Sequence, residues 1–206
     1  MGESIQRFPL FPLDLVLLPG EVMPLHIFEQ RYRTMIGECL ESESEFGIVW
    51  LGDGVLHEVG CTVAVNEVME KMDDGRMNIL VQGVRPFRLQ RRVDDMDYPA
   101  GDILLLDEEE AVGDEETSAA ARQGYADLVE RVTDSRPDED HLVGLDAYAM
   151  ASTIAFENDA KQELLELRSE SERLGRLATL CKRALERYDY AEQALERARS
   201  NGKVHH

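Results

Sequence analysis

Four of the chain's seven prolines, Pro9, Pro12, Pro19 and Pro24, lie before residue 25, and apolar residues fill the gaps between them. The stretch reads Phe8-Pro9-Leu10-Phe11-Pro12-Leu13, then Leu15-Val16-Leu17-Leu18-Pro19-Gly20, then Met23-Pro24-Leu25-His26-Ile27-Phe28. Proline fixes φ and donates no backbone hydrogen bond, so within sheets it is confined to edges, strand starts and bulges. Each preceding residue is pushed toward extended geometry. The pattern therefore predicts short, punctuated strands along a rim, and Pro19-Gly20 predicts a turn. From Phe28 to Glu41 the apolar period changes and predicts a helix.

Up to about residue 110 the chain stays β-rich. Phe46 to Leu51 is a short apolar run ended by Gly52-Asp53-Gly54. Val55 to Val65 is rich in β-branched residues, and Gly60 inside it predicts a bulge or a close backbone approach. Asn66 to Met72 continues the run, and Asp73-Asp74-Gly75 predicts a hairpin turn of the Asp-Gly kind. The return strand is Met77 to Val84, followed by alternating residues from Pro86 to Val93 and a last strand at Ile103 to Leu106. Many short strands with one early helix predict a small closed or half-closed barrel.

From Val112 onward the pattern is helical. Asp114 is placed to cap a helix that carries Glu115 and Glu116 in its first turn, with Ala119, Gln123, Ala126, Val129 and Val132 at helical spacing. Pro137 stands in the first turn of a second helix, with Leu142, Leu145, Tyr148, Ala149, Ser152 and Phe156 along one face. A short helix over 160–167 follows. Ser169-Glu170-Ser171-Glu172 reads as a capping box opening a long helix from Glu170 to about Arg199. Leu174, Leu177, Cys181, Ala184, Leu185 and Tyr188 mark its inner side. The expected class is α+β, with a barrel domain over 1–110 and a helical domain over 111–200.

The formal net charge is −20: residues 1–110 hold 9 basic and 22 acidic groups (−13), and residues 111–206 hold 13 and 20 (−7). Such a chain repels nucleic acid unless a local basic patch intervenes. The dense basic cluster Arg85, Arg88, Arg91 and Arg92 runs straight into Asp94, Asp95 and Asp97, and is read as a solvated strand face. No apolar run approaches the roughly 18–20 residues of a membrane helix. With no evident signal peptide, the cytoplasm is the expected compartment.

Chemistry is scarce. Cys39, Cys61 and Cys181 have no CxxC or zinc spacing and are expected to be buried or free thiols. Gly202-Lys203 lacks the upstream glycine and following hydroxyl of a phosphate loop. His26, His57 and His141 show no metal-ligand spacing, and the terminal His205 and His206 are set aside. His26 is expected to bond backbone near the strand-to-helix turn. The acidic runs at 94–95, 107–110 and 114–116 lack the alternating order of a calcium loop and are read as solvated. No catalytic residue, metal or cofactor is assigned. On the first helix, Tyr32 is expected in the core and Arg31 and Arg33 at the surface.

The opening string, with Leu18-Pro19-Gly20, Pro24-Leu25-His26-Ile27-Phe28-Glu29 and Arg31-Tyr32-Arg33 in close order, resembles the start of the Lon protease N-terminal, substrate-binding domain family. Further along, His57-Glu58-Val59-Gly60, Asp74-Gly75 and Val81-Gln82-Gly83-Val84 extend the likeness. In the helical half, Lys161 to Glu166 and Ser171-Glu172-Arg173-Leu174 extend it to about residue 187. The resemblance implies a PUA-like barrel followed by a helical bundle. It also implies a non-enzymatic module that recognises apolar segments of unfolded or tagged proteins, or a partner protein such as a protease, without ATPase or protease parts. A PUA-like module binding RNA or a small ligand is the alternative. From the residues themselves, Met69, Met72 and Met77 around the hairpin turn are the candidate substrate-binding set, because flexible, polarizable methionine suits varied partners; packing against the core is the competing role.

Overall fold

The computed structural model describes residues 2–109 and 115–201. It is a mixed α+β protein with a six-stranded sheet and C-terminal helices. The chain packs as two compact units, Met1–Glu110 with Tyr148–Ser169, and Ala111–Ala147 with Glu170–His206.

In the first unit the proline-punctuated start forms β1 (Ser4–Leu13) and β2 (Val22–Ile27), followed by α1 (Gln30–Ser42). Then come β3 (Phe46–Gly52), β4 (Val55–Lys71), β5 (Met77–Val93) and β6 (Ala100–Leu105). The sheet order is β2-β5-β4-β3-β1-β6, and β6 pairs once more with β5. One edge of β5 is thus divided between two partners: Met77–Gln82 face β2 and Phe87–Val93 face β6. β1 lies parallel to β3 and antiparallel to β6, where Ser4 stands opposite Leu104.

The segments expected as separate strands at 77–84 and 86–93 are one strand. Pro86 is carried at a register shift opposite Cys61, where its missing N–H is tolerated. Gly60 shows the expected close approach. A Cβ there would lie 2.4 Å from the Ile48 carbonyl oxygen and 2.7 Å from Phe87 Cζ.

Two apolar clusters hold this unit. In one, Tyr32, Met35, Ile36 and Cys39 of α1 pack on Phe11, Ile27, Phe46, Ile48, Val63, Ile79 and Val81 of the strands. In the other, Phe8, Leu10, Val49, Phe87, Leu89, Ile103 and Leu105 fill the space between strands, with the Phe8 and Phe87 rings edge to face at 6.0 Å.

A late helix also belongs to this unit: α5 (Asn158–Glu166), placed after α4 (Ala147–Ala151). It fastens the Asp14–Glu21 loop. Val16 N–H donates to Asn158 Oδ1 at 3.3 Å, and Asn158 Nδ2 donates to the Asp14 carbonyl at 3.3 Å. Lys161 Nζ lies 2.5 Å from Glu21 Oε1, with both side chains largely buried, and Glu21 Oε2 accepts Leu18 N–H. Gln162 Nε2 donates to the Val59 carbonyl of β4 at 3.1 Å.

In the second unit α2 (Glu115–Thr133) packs on α6 (Glu170–Asn201), and α3 (Glu139–Val143) lies against α2. The α2 face differs from the sequence expectation. Ala121, Tyr125, Ala126 and Leu128 are buried, whereas Ala119, Gln123 and Val132 are exposed. Turning Tyr125 and Leu128 inward removes more apolar area from water than the smaller set does. The single helix expected through Leu142 and Phe156 is broken into α3 and α4 around Gly144. α6 begins at Glu170, where the capping box placed it, and buries Leu174, Leu177, Leu180 and Cys181. Beyond Leu185 that inner line becomes solvated, with Tyr188 exposed. The capping role given to Asp114 falls outside the described residues.

Candidate functional site

The three methionines around the hairpin turn lie in different settings. Met77 is 4% exposed and belongs to the α1-facing core, so the packing role describes it. Met72 is half-buried, and Met69 is 46% exposed. The reason is the register of β4 on β5. Shifts between Val65 and Glu67, and between Val68 and Glu70, insert one extra residue each, Asn66 and Met69. On strict alternation Met69 and Met77 would share a face and Met72 would take the opposite one; the two bulges break that alternation between Val65 and Lys71.

The more coherent surface is β2. It pairs with β5 from Val22↔Gln82 to Ile27↔Met77 without a shift, and its other edge has no pairing among the described residues. Gly83 N–H donates to the Glu21 carbonyl at 3.0 Å. Backbone groups alternate along a strand, so Met23, Leu25 and Ile27 turn theirs toward β5 and Val22, Pro24 and His26 turn theirs outward. Pro24 thus sits where a missing N–H disturbs no ladder bond. The side chains follow the same alternation: Val22, Pro24 and His26 are exposed, Met23 and Leu25 are half-buried on the core, and Ile27 is buried. Val22 is 48% and the following Phe28 59% exposed. The inner face of this edge is apolar, and the outer face sets Val22 and Pro24 beside His26.

His26 bonds a side chain and not the backbone group expected of it. Its Nδ1–H donates to Asn78 Oδ1 at 2.7 Å, and Asn78 Nδ2 donates to Glu70 Oε2 at 2.8 Å. Its ring stacks on Phe28 at 5.8 Å between centroids. The chain His26–Asn78–Glu70 ties the outward faces of β2, β5 and β4. No nucleophile stands in it, so it orients side chains and offers no general-base arrangement.

On α1, Tyr32 is buried and stacks on Phe11 at 4.1 Å, and burial raises its phenol pKa. Arg31 reaches Glu29 at 2.9 Å, while Arg33 donates to the Asp74 carbonyl and to Gln30 Oε1. Arg33 therefore splints the hairpin turn to α1. Tyr98 O–H donates to Glu38 Oε2 at 2.5 Å, which pins the loop before β6 to the same helix.

Two arginines of the cluster, Arg88 and Arg91, are paired with carboxylates. Arg91 makes two bonds to Asp102 Oδ2 at 3.0 and 2.7 Å, and Arg88 reaches Glu58 at 3.4 Å. Arg7, in the left-handed region at φ 56°, donates its N–H to Asp102 and pairs with Asp95 at 2.8 Å. Arg91 first, then the Arg7 N–H, hold the Asp102 carboxyl below the ordinary range.

All three cysteines are free and buried; desolvation raises their pKa values, that of Cys181 to about 12. Such thiols are inert packing groups. No group of metal-ligating side chains occurs among the described residues, and no described helix is long and apolar enough to cross a membrane.

The chain's relatives match this architecture. It is 27% identical over 116 residues to the Lon protease of Parabacteroides distasonis, covering 52% of this chain and 14% of that protein. It is 26% identical over 198 residues to Lon protease 2 of Herpetosiphon aurantiacus, covering 84% and 23%. The chain thus spans less than a quarter of the length of these curated relatives. Among solved structures, a Lon N-terminal domain protein from Xanthomonas campestris superposes with a TM-score of 0.67 at 25% identity, covering 85% of this chain and 98% of that one. The N-terminal domain of the Mycobacterium avium complex Lon protease gives 0.64 at 22% identity, covering 87% and 98%. A sequence profile of the ATP-dependent protease La (LON) substrate-binding domain matches residues 7–183, and on that span the chain belongs to this family.

Proposed function

We propose that this chain is a non-enzymatic recognition module for other proteins. It takes exposed apolar segments of unfolded or tagged clients, or of a partner protein such as a protease, and works in the cytoplasm without ATP or a cofactor. The observation that carries the reading is the combination of family membership over residues 7–183 with an apolar strand left open at the surface. Extended peptides commonly bind by joining such an edge. The matched family covers substrate recognition alone, and no group of metal-ligating side chains occurs among the described residues. The circuit of pairings from β5 through β4, β3, β1 and β6 back to β5 supports reading the head as the PUA-like barrel implied by the sequence. Residues 1–110 would form that head, and 111–200 the helical domain, with α5 lending it a buttress. Met69 and Met72 would flank the recognition surface.

The test compares reduced, carbamidomethylated lysozyme, which stays unfolded, with native lysozyme in fluorescence anisotropy. The unfolded form should bind weakly and saturably, and the native form should not. Absence of binding by the unfolded form would overturn the reading, as would ATP hydrolysis or peptide cleavage by the pure chain that a point substitution abolishes.

A further inference from the structure

From the backbone of β2 we infer that the client is held as a seventh strand on the outer edge of Val22–Ile27, and that this client strand is apolar and free of carboxylates. The inference rests on the recognition reading and gives it a place and a ligand class.

The geometry supplies the hydrogen bonds. Val22 and His26 offer outward N–H and C=O groups, and Pro24 offers a C=O, so an added strand finds two donors and three acceptors. The ladder is in continuous register over six residues, so these groups are evenly spaced. The distal half of β4 is also unpaired on its far side beyond Val63, yet it is a poorer template. Its two bulges interrupt the spacing, and Glu67, Glu70 and Lys71 line it. Bulges and charges are the devices by which natural sheets close an edge to other strands. β2 carries no Asp, Glu, Lys or Arg from Val22 to Ile27, and His26 is its one titratable side chain.

The side chains define the ligand. An incoming strand would lay one row of residues beside Val22, Pro24 and the Phe28–His26 stack, and the other beside Met23 and Leu25 over the core. The inner row meets apolar core, and the outer row meets Val22, Pro24 and Phe28 around the His26 ring, so apolar residues are favoured on both faces of the client. Charge sets the exclusion. Glu70 is tied in through Asn78 and His26, and Glu29, paired with Arg31, closes one end of β2, in a chain of net charge −20. Carboxylates on the client meet repulsion, while lysine or arginine at its ends is attracted. The same charge disfavours a second copy of this chain as the occupant. A six-residue strand pair also falls far short of the ~1,600 Å² that a stable protein interface buries.

The probe is a labelled peptide of alternating valine and threonine with a lysine at each end. It should bind in fluorescence anisotropy and compete with unfolded lysozyme. An analogue N-methylated along one edge should still bind, because its other edge serves, whereas one methylated along both edges should bind about tenfold more weakly or not at all. N-methylation adds apolar surface, so equal binding of the doubly methylated analogue would overturn strand addition while leaving recognition intact. His26→Pro removes an outward N–H without touching the ladder to β5, and His26→Ala removes only the ring with its Asn78 and Phe28 contacts. The proline variant should weaken the parent peptide by a similar factor beyond the alanine variant, at unchanged circular dichroism, and equal binding by the two would overturn strand addition. Glutamate in place of the terminal lysines should weaken binding at low salt; equal binding would overturn the charge rule. A chain that sediments as a dimer, and as a monomer after His26→Pro, would assign the edge to a second copy and overturn the client assignment. If unfolded lysozyme binds and the peptide does not, the β2 site falls alone; if neither binds, the recognition reading falls with it.

Discussion

Single residues carry more of this fold than their positions in the sequence disclose. Lys161 and Glu21 are 140 residues apart, yet their ion pair seals α5 onto the loop before β2 with side chains only 10% and 12% exposed. Breaking a buried pair leaves a desolvated charge behind, so Lys161→Met should cost about 3 kcal/mol in urea unfolding, and adding Glu21→Gln should recover much of it. Asp102 makes a prediction in pH. Arg91 holds its folded-state pKa below the unfolded value, so its contribution is present above the unfolded pKa and is lost as pH falls through the folded one. Asp102→Asn should therefore flatten the acid limb of a plot of urea midpoint against pH, below the ordinary carboxylate range. Neither pairing is legible in the sequence, because charge pairs separated by this much chain leave no local pattern. Gly60 is legible, since a glycine inside a β-branched run has few other uses.

At the scale of elements, the strands and the first helix follow from proline spacing, turn dipeptides and a change of period. Which face each element buries follows less well. In the β4–β5 hairpin, Asn66 and Met69 are inserted against a shorter partner, and strict alternation fails between Val65 and Lys71. Met77 joins the candidate set by its place beside the hairpin turn, and it lies in the core, the competing role. In α2 two stripes were available, and packing against α6 selected the one with Tyr125 and Leu128. The open edge of β2 was hidden for a different reason. An apolar strand reads as buried, and only the order of the whole sheet reveals that its outer edge has no strand partner among the described residues. The crossing of β3, β4 and β5 is the least forgiving part of the head. Gly60→Ala would drive a methyl group against the Ile48 carbonyl and the Phe87 ring, and should destabilise by roughly 2–3 kcal/mol in denaturant titration.

The whole molecule is dominated by its charge of −20, spread over both halves. Self-repulsion of this size lowers the stability of the compact state and is screened by salt. The thermal midpoint should therefore rise by a few degrees as sodium chloride increases from about 0.01 to 0.15 M, measured by calorimetry; a fall or no change would contradict the assignment. Charge is also legible before any fold is known, and it argues against nucleic acid as a partner. The pairing of Ser4 with Leu104 has one more consequence, for the way the protein is made. Contacts that join distant parts of a chain form slowly, and synthesis proceeds from the N-terminal side. On a ribosome, β1 must wait until β6 emerges before its second partner exists. During that interval the Phe8-Pro9-Leu10-Phe11 strand is itself an apolar extended segment in need of shelter, and the prolines at its centre protect it from pairing with the wrong neighbour.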